Sequence, residues 1–503
     1  MRPTFLGFET AKKGIMASQK ALDLTGHNIA NVNTKGYTRQ RLDIFSMVTT
    51  GGGVKYSGSS ISNAGQGVYA GGVAQIRDPF LDKRFRELNS DTAEAGIKTG
   101  VLTDIENVLD NVDTQGLQNS MLNFQKAMTS FSSDSTDREE MANIFAQSGK
   151  QLVNILNSYD SKLQQVQDQT KFEINASVGD MNATLNKIAA LNKQIVDSYV
   201  GSGNVSLALA GDYTVNASYG PNELLDARNV LIDSLSTYGN LEAIPQNDGS
   251  VNIKFAGATV VEGSKATQMS LREDSITGAL IPSFTNGSEF KPTSGSLKGY
   301  IELYNGNGCY AQGAQNGSEG IPYYKSVINK FAESIAKEFN AMNVDSAAPT
   351  VERPLFVPSE GAVVTAGNIR LADSWLKNPM SVIPTSQDGK LDNAHMFKLL
   401  SVFDKKVSFG DMGDFNGSFE GYISYYSDKV GQEISFQSGK ASSSLTLTTN
   451  ILNERDSTSG VSLDEEGINM MNFQKWFNAS SRLMTTLDEA LDTIINSMGH
   501  VGR

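Results

Sequence analysis

Hydrophobic positions recur every seven residues at both ends of the chain. Near the start, Phe8, Ile15, Leu22 and Ile29 keep that spacing, and three residues on lie Ala11, Ser18 and Thr25, all small. Near the end, Leu463, Met470, Phe477, Met484, Leu491 and Met498 repeat, with Glu466, Phe473, Ser480, Leu487 and Ile494 at the companion position. A seven-residue repeat holds one seam of a helix against a partner helix, and a period of 3.5 favours supercoiled pairing. Small companions on the first segment let the partner approach closely. Ser462 followed by Glu465 predicts a capped helix start, and Asp464, Glu465 and Glu466 suit its positive end. An ordinary amphipathic helix on a globular core gives a similar stripe. The terminal placement, the period and the charges favour pairing of the ends.

Those charges are opposite. Residues 1–41 carry seven basic side chains against two acidic ones, and residues 461–503 carry three basic against six acidic. Opposite signs on two striped helices draw them together. Left uncovered, such stripes are a solubility liability, which predicts burial in an assembly. Phe8, Ile15, Leu22, Ile29, Leu463, Met470, Phe473, Phe477, Met484, Leu487, Leu491 and Ile494 are therefore the expected assembly interface. An isolated subunit offers these ends little to pack on, so they are expected to be loose or disordered there, with Leu487→Asp or Phe477→Asp sparing the subunit and abolishing assembly.

The interior reads differently. After a turn at Asn31, Asn33 and Gly36, residues 42–77 read as loop and strand, and helical periodicity runs from about Pro79 to Val200. Phe145, Leu152, Tyr159 and Val166 repeat at seven, as do Ile174, Met181, Ile188 and Ile195, and Thr136 with Glu139 reads as a capping box ahead of them. From 201 to 320 the texture turns to Gly, Asn and Ser with alternation, as at Val251, Ile253 and Phe255 after the Asn247-Asp248-Gly249 turn, interrupted by a helix after Pro221. Helix returns at 322–343, loop at 344–390, and helix again at 395–455. The expected fold is mixed α and β and multidomain. A long coiled-coil-like rod is built from both chain ends and carries an inserted β-rich domain. Its parts are 1–41 with 461–503 as terminal helices, 42–200 with 321–460 as a helical rod, and 201–320 as the outer insert.

Composition narrows the function. Asp and Glu number 55 against 42 Lys and Arg, a net charge of −13 that argues against phosphate-driven nucleic-acid binding. The single cysteine, Cys309, excludes an intrachain disulfide, and three scattered histidines leave little for a metal or acid–base centre. No apolar run is long enough to predict a membrane-spanning helix, and the start does not read as a cleaved signal peptide. Gly65 to Ala70 and Gly306 to Ala311 fit a dinucleotide fingerprint in letters but open no strand–helix unit, and Asp414 to Gly417 lacks the remaining ligands of a calcium loop. No cofactor, metal or catalytic residue is expected.

The end motifs resemble a known family. LDLTGHNIANVNTKGYTRQR, with Asn28, Asn31, Gly36, Tyr37, Thr38 and Arg39, is similar to the start of bacterial flagellar axial proteins of the hook-associated type. SGVSLDEEGINMMNFQKWFNASSRLMTTLDEALDTIINSM, whose start runs from Ser459 through Asp464, Glu465 and Glu466, resembles their end, and NELLDAR (Asn222 to Arg228) agrees internally. The resemblance implies a secreted structural protein at the distal end of the hook, forming the hook–filament junction. It implies terminal helices in the inner layer of a tube and an outer β-rich module. The implied partners are further copies of the chain, hook subunits, a second, filament-side junction protein and an export chaperone on the C-terminal helix. Passage would be through the flagellar type III apparatus without a cleaved signal peptide. A hook or hook-basal protein is the nearest alternative. From other classes come a filament-associated enzyme, against which 201–320 holds no histidine, and an adhesin or glycan-binding module built on Tyr300, Tyr304 and Tyr310.

Overall fold

The computed structural model describes residues 4–47, 67–109, 116–132, 137–201, 205–207, 213–215, 219–344, 353–383, 393–409 and 415–497. Thr136, Gly65, Asp414 and Met498 lie outside them. The first helix, α1 (Thr4–Ala30), leads into an antiparallel hairpin of β1 (Gln40–Ser46) and β2 (Val68–Gln75). Three helices follow: α2 (Pro79–Leu109), α3 (Leu117–Ser132) and α4 (Arg138–Gly201), the last 64 residues long. At 1.5 Å per residue α4 spans about 96 Å, and it is the strut on which two separate cores are built.

The two heptad runs read along α4 serve different neighbours. Phe145, Leu152, Leu156, Tyr159 and Leu163 enter a large core with α2, α3, α7 (Ile321–Met342), α9 (Asn393–Asp404) and the start of α10 (Phe419–Ser459). That core is dense in rings: Phe124 stacks on Phe145 at 5.1 Å, and Trp375 lies 5.0 Å from Phe145. Gly149 is required there, because a Cβ would stand 2.8 Å from the Trp375 ring. Farther along, Val178, Met181, Leu185 and Ile188 join the core of the insert.

The insert holds the short hairpin of β3 (Val205–Leu207) and β4 (Tyr213–Val215), then α5 (Asn222–Leu235) and a four-stranded sheet in the order β5-β6-β7-β8. Its strands are β5 (Leu241–Pro245), β6 (Val251–Phe255), β7 (Ala258–Glu262) and β8 (Lys265–Ala266). A second hairpin pairs β9 (Met269–Glu273) with β10 (Leu280–Phe284). The predicted alternation is present on β6: Val251, Ile253 and Phe255 are buried and the residues between them are not. The turn before it is closed by Ser250 N–H donating to the Asp248 carboxylate at 2.9 Å, with Gly249 at φ +85°.

Three readings need correction. The helix expected over 395–455 is broken between α9 and α10, where β13 (Val407–Ser408) pairs with β14 (Asn416–Gly417) and sends Phe409 and Phe415 into the aromatic core. Residues 344–390 are not simply loop: β11 (Phe356–Pro358) pairs with β12 (Ile369–Leu371), and α8 (Asp373–Lys377) buries Trp375. Residues 296–305 form a further helix, α6 (Ser296–Asn305), packed on α2 and α4. Ten residues are too few for a periodic stripe to declare itself. Gly299 lets α6 approach closely, since a Cβ would stand 3.1 Å from the Glu94 carbonyl.

A buried charge cluster fastens α6 to α2. Glu94, 2% exposed, meets Lys98 at 2.8 Å and Lys298 at 3.0 Å, and Lys98 also holds Glu302 at 2.5 Å. Burial pushes the Glu94 carboxyl up, but the hydrogen bonds and charges of both lysines outweigh it and hold it below its ordinary value. A depressed carboxyl stabilises the fold above its unfolded value, about 4.3, and that contribution disappears as pH falls through the lower folded value. Urea denaturation of Glu94→Gln beside the parent should show the parent's advantage shrinking on acidification below about pH 4.5 and level above it.

The candidate assembly site at the terminal helices

The last helix, α11 (Leu463–Asp492), lies antiparallel along α1. Gly7 faces Leu487, Gly14 faces Ser480 and Asn28 bonds Glu466, so one register holds along the whole pair. A Cβ at Gly14 would stand 2.7 Å from Ser480 Oγ, so the two helices approach closely there. Ala11, Ala17, Ser18, Ala21 and Thr25 are all buried on α1. The seam is therefore unequal, with small residues on α1 and Phe473, Phe477, Met484, Leu487 and Leu491, each half-buried, on α11. Phe8, Ile15, Leu22 and Ile29 are likewise half-buried. Leu463, Met470 and Ile494 stay exposed.

The ends of a lone subunit are expected to have little to pack on; in this structure they pack on each other, and much of α11 stays exposed. Each end packs on the other, because the glycines and alanines of α1 admit the large side chains of α11. Leu487 and Phe477 belong to this intrachain seam, so an aspartate at either place would disturb the subunit as well as any assembly.

Polar groups fix where the pair begins. Ser462 Oγ caps α11 by accepting from Glu465 N–H at 3.4 Å. Asp464 and Glu465 stand exposed in the first turn, where the helix dipole favours them. Glu466 does more: it is 2% exposed and accepts from Arg39 Nε at 2.8 Å, while Arg39 Nη1 reaches Glu465 at 2.6 Å. Asn28, also buried, donates to Glu466 at 3.3 Å and to the Gln40 carbonyl at 2.9 Å, and it accepts from Gln40 N–H at 3.1 Å and from Tyr37 OH at 2.7 Å. Burial, with the nearby charges of Asp226, Glu223 and Glu466, pushes the Tyr37 phenol far up and keeps it a donor. Asn31 closes the end of α1 by donating to the His27 carbonyl at 3.0 Å and accepting from Thr34 at 3.0 Å. Gly36 takes φ +82°, and a Cβ there would stand 2.2 Å from Val230.

A second cluster joins this turn to the rest of the molecule. Asp226 on α5 accepts from Thr38 N–H at 3.0 Å, from Thr38 Oγ1 at 2.6 Å and from Gln75 at 2.9 Å. Burial raises its carboxyl above the ordinary range in spite of those bonds and of Arg77. Arg77 grips Asp82 through two bonds of 2.5 and 3.0 Å. Asp233 holds both Arg86 and Arg455 at 2.7 Å. The sequence motifs supplied Asn28, Thr38, Arg39, Asp226 and Glu466. Gln75, Arg77, Asp82, Arg86, Asp233 and Arg455 were not singled out. The density of charge over 77–87 was a signal, but their pairing across four elements is tertiary. None of the described hydrophobic clusters takes in a residue of α1, the β1–β2 hairpin or α11.

Residues 102–347 match the family model of the flagellar hook-associated protein FlgK helical domain. Residues 8–38 match that of the flagella basal body rod protein, and 453–498 that of the flagellar basal body rod FlgEFG protein C-terminal region. Flagellar hook-associated protein 1 of Bacillus subtilis (strain 168) is 31% identical over 544 residues, covering 100% of both chains. The chain belongs to the flagellar hook-associated protein 1 family. It is a structural component of the bacterial flagellum at the hook–filament junction. The Escherichia coli (strain K12) member is 24% identical, over 97% of this chain and 98% of its own. The structure of the flagellar hook junction protein FlgK from Burkholderia pseudomallei shares the fold at a TM-score of 0.57 and 12% identity, covering 76% of this chain and 100% of that one. Among the described residues no helix is long and apolar enough to cross a membrane.

Arg39→Ala would leave Glu466 buried with Asn28 as its one remaining side-chain partner among the described residues. Removing one member of such a pair costs roughly 3–5 kcal/mol. Hydrogen exchange should show the first turns of α11 losing protection while the α4 core keeps its own, with Arg39→Lys restoring part of the loss.

Proposed function

We propose that the paired terminal helices are the element through which copies of this chain assemble into the hook–filament junction. The observation that carries this reading is an apolar surface left on the outside of the pair. Met16 is 52% exposed, Ile468 and Met471 each 55%, and Trp476 52%, with Leu483 and Ile494 similarly bare. A fully buried side chain of this size contributes on the order of 1.5–3 kcal/mol, so several of them covered together offset the cost of ordering one more copy. The covering surfaces are those of neighbouring copies, of hook subunits below and of the second, filament-side junction protein above.

In this reading both ends are of a kind shared with rod proteins, and the helical middle with its insert sets this family apart from a hook or hook-basal protein. The chain reaches its place through the flagellar type III apparatus, and an export chaperone covers the bare face of α11 beforehand. Its role is structural rather than catalytic, which its structural relatives support. The adhesin reading loses its footing, because Tyr304 is buried, Tyr310 packs on Tyr323 and Tyr300 is half-buried against the core.

Flagellated cells lacking the gene test this directly. The native chain should restore filaments. Trp476→Asp with Leu483→Asp should leave hooks without filaments and flagellin in the medium, while the purified subunit keeps its stability to within about 1 kcal/mol, as surface changes do. Attached, rotating filaments from the double variant would refute the reading.

A further inference from the structure

Asparagine is followed by glycine at 286, 305, 307, 316 and 416. Such a pair carries its own chemistry, because the glycine nitrogen, with no side chain beside it, can attack Cγ of the preceding asparagine. Ring closure needs an asparagine side chain free to turn and a peptide nitrogen free to approach it. The fold meets that requirement unequally.

Three of the pairs are braced in the body. Asn305, 5% exposed, accepts from Leu280 N–H and donates to the Leu280 carbonyl, both at 2.7 Å. Asn307, 8% exposed, donates to the Tyr310 carbonyl at 3.1 Å and accepts from Ser326 at 2.9 Å, and the nitrogen of Gly308 is held by the Ser318 carbonyl at 3.0 Å. Asn316, half-buried, donates to the Glu302 carbonyl at 3.3 Å and accepts from Ser318 N–H at 2.8 Å. Asn416 is exposed, but it lies in β14 paired with β13, and the ladder opposes rotation of its peptide.

Asn286 is held less firmly. It and Gly287 are exposed in the turn after β10, with Gly287 at φ +81° and open space where its Cβ would stand. Its Nδ2, the group that must leave, has no hydrogen-bond partner among the described residues, while its Oδ1 accepts from Ser288 N–H at 3.0 Å. That donor points at the oxygen on which negative charge develops when Cγ is attacked. One bond, from Gly287 N–H to the Phe284 carbonyl at 2.9 Å, must open first, and it closes a single surface turn.

We propose that Asn286 is a self-modifying site that converts to aspartate and isoaspartate in the folded protein. The Gly287 nitrogen loses its proton and bonds Asn286 Cγ, the bond from Cγ to Nδ2 breaks, and the nitrogen leaves as ammonia with that proton. Water then opens the succinimide at either carbonyl. The turn gains one negative charge, and in the isoaspartate product the main chain gains one carbon. The reaction uses water alone, so it is independent of the assembly reading, and its extent records the time since the chain folded.

The test incubates the purified full chain in ¹⁸O-labelled water at mildly alkaline pH, native and in urea, and follows all five pairs by peptide mass spectrometry. In urea the five should convert at comparable rates. In the native chain Asn286 should keep its urea rate to within about threefold, while the other four slow by about tenfold or more, since they react only from opened states. Asn286→Gln, with its thermal melt unchanged, should remove isoaspartyl methyltransferase labelling of the native chain. Slowing of Asn286 to the level of Asn305 and Asn307, or labelling that persists in Asn286→Gln, overturns the proposal.

Discussion

Everything at the working end of this molecule depends on one buried ion pair. Arg39, in the turn after α1, holds Glu466, in the first turn of α11, at 2.8 Å, and Asn28 on α1 completes the contact. The two residues of the ion pair are 427 positions apart, so the contact ties the two ends of the chain together. Desolvating a carboxylate is costly and is offset only where its partner and hydrogen bonds are well placed. That condition selects one register, and the register then places glycine against leucine and serine along the rest of the pair.

The division of labour between apolar and polar contacts follows. Apolar packing builds two cores along α4, one of rings with α3, α7 and α10, the other under the sheet of the insert. Polar contacts join the terminal helices to that body. A polar joint gives direction, because each bond has a required geometry. The large side chains not used in the seam remain on the outside of the pair, where the proposed assembly would cover them.

Much of this was legible along the chain. The terminal stripes, their opposite charges, the Ser462 cap and the long helical stretch ending near 200 all follow from period and capping, which are local properties. The division of each stripe was not legible. A heptad shows that Phe477 and Leu463 share a face, but only the register of α1 shows that Phe477 is half-covered and Leu463 is bare. The loss of pattern at 405–418 has the same cause, since Phe409 and Phe415 gain their burial from α10 and α7 rather than from periodicity. Glu466 reads in sequence as one of three acids at a helix start. Its burial is conferred by Asn28 and Arg39, which no spacing rule connects to it.

The pairing of the two ends within one chain can be tested by crosslinking. A Cβ at Gly14 would stand 3.4 Å from the Ser480 Cβ, close to the separation a disulfide spans. In the full chain carrying Gly14→Cys, Ser480→Cys and Cys309→Ser, mild oxidation at low protein concentration should give a crosslinked monomer that migrates anomalously and reverts on reduction. Crosslinked dimers alone, or no crosslink while both thiols stay open to alkylation, would contradict the account.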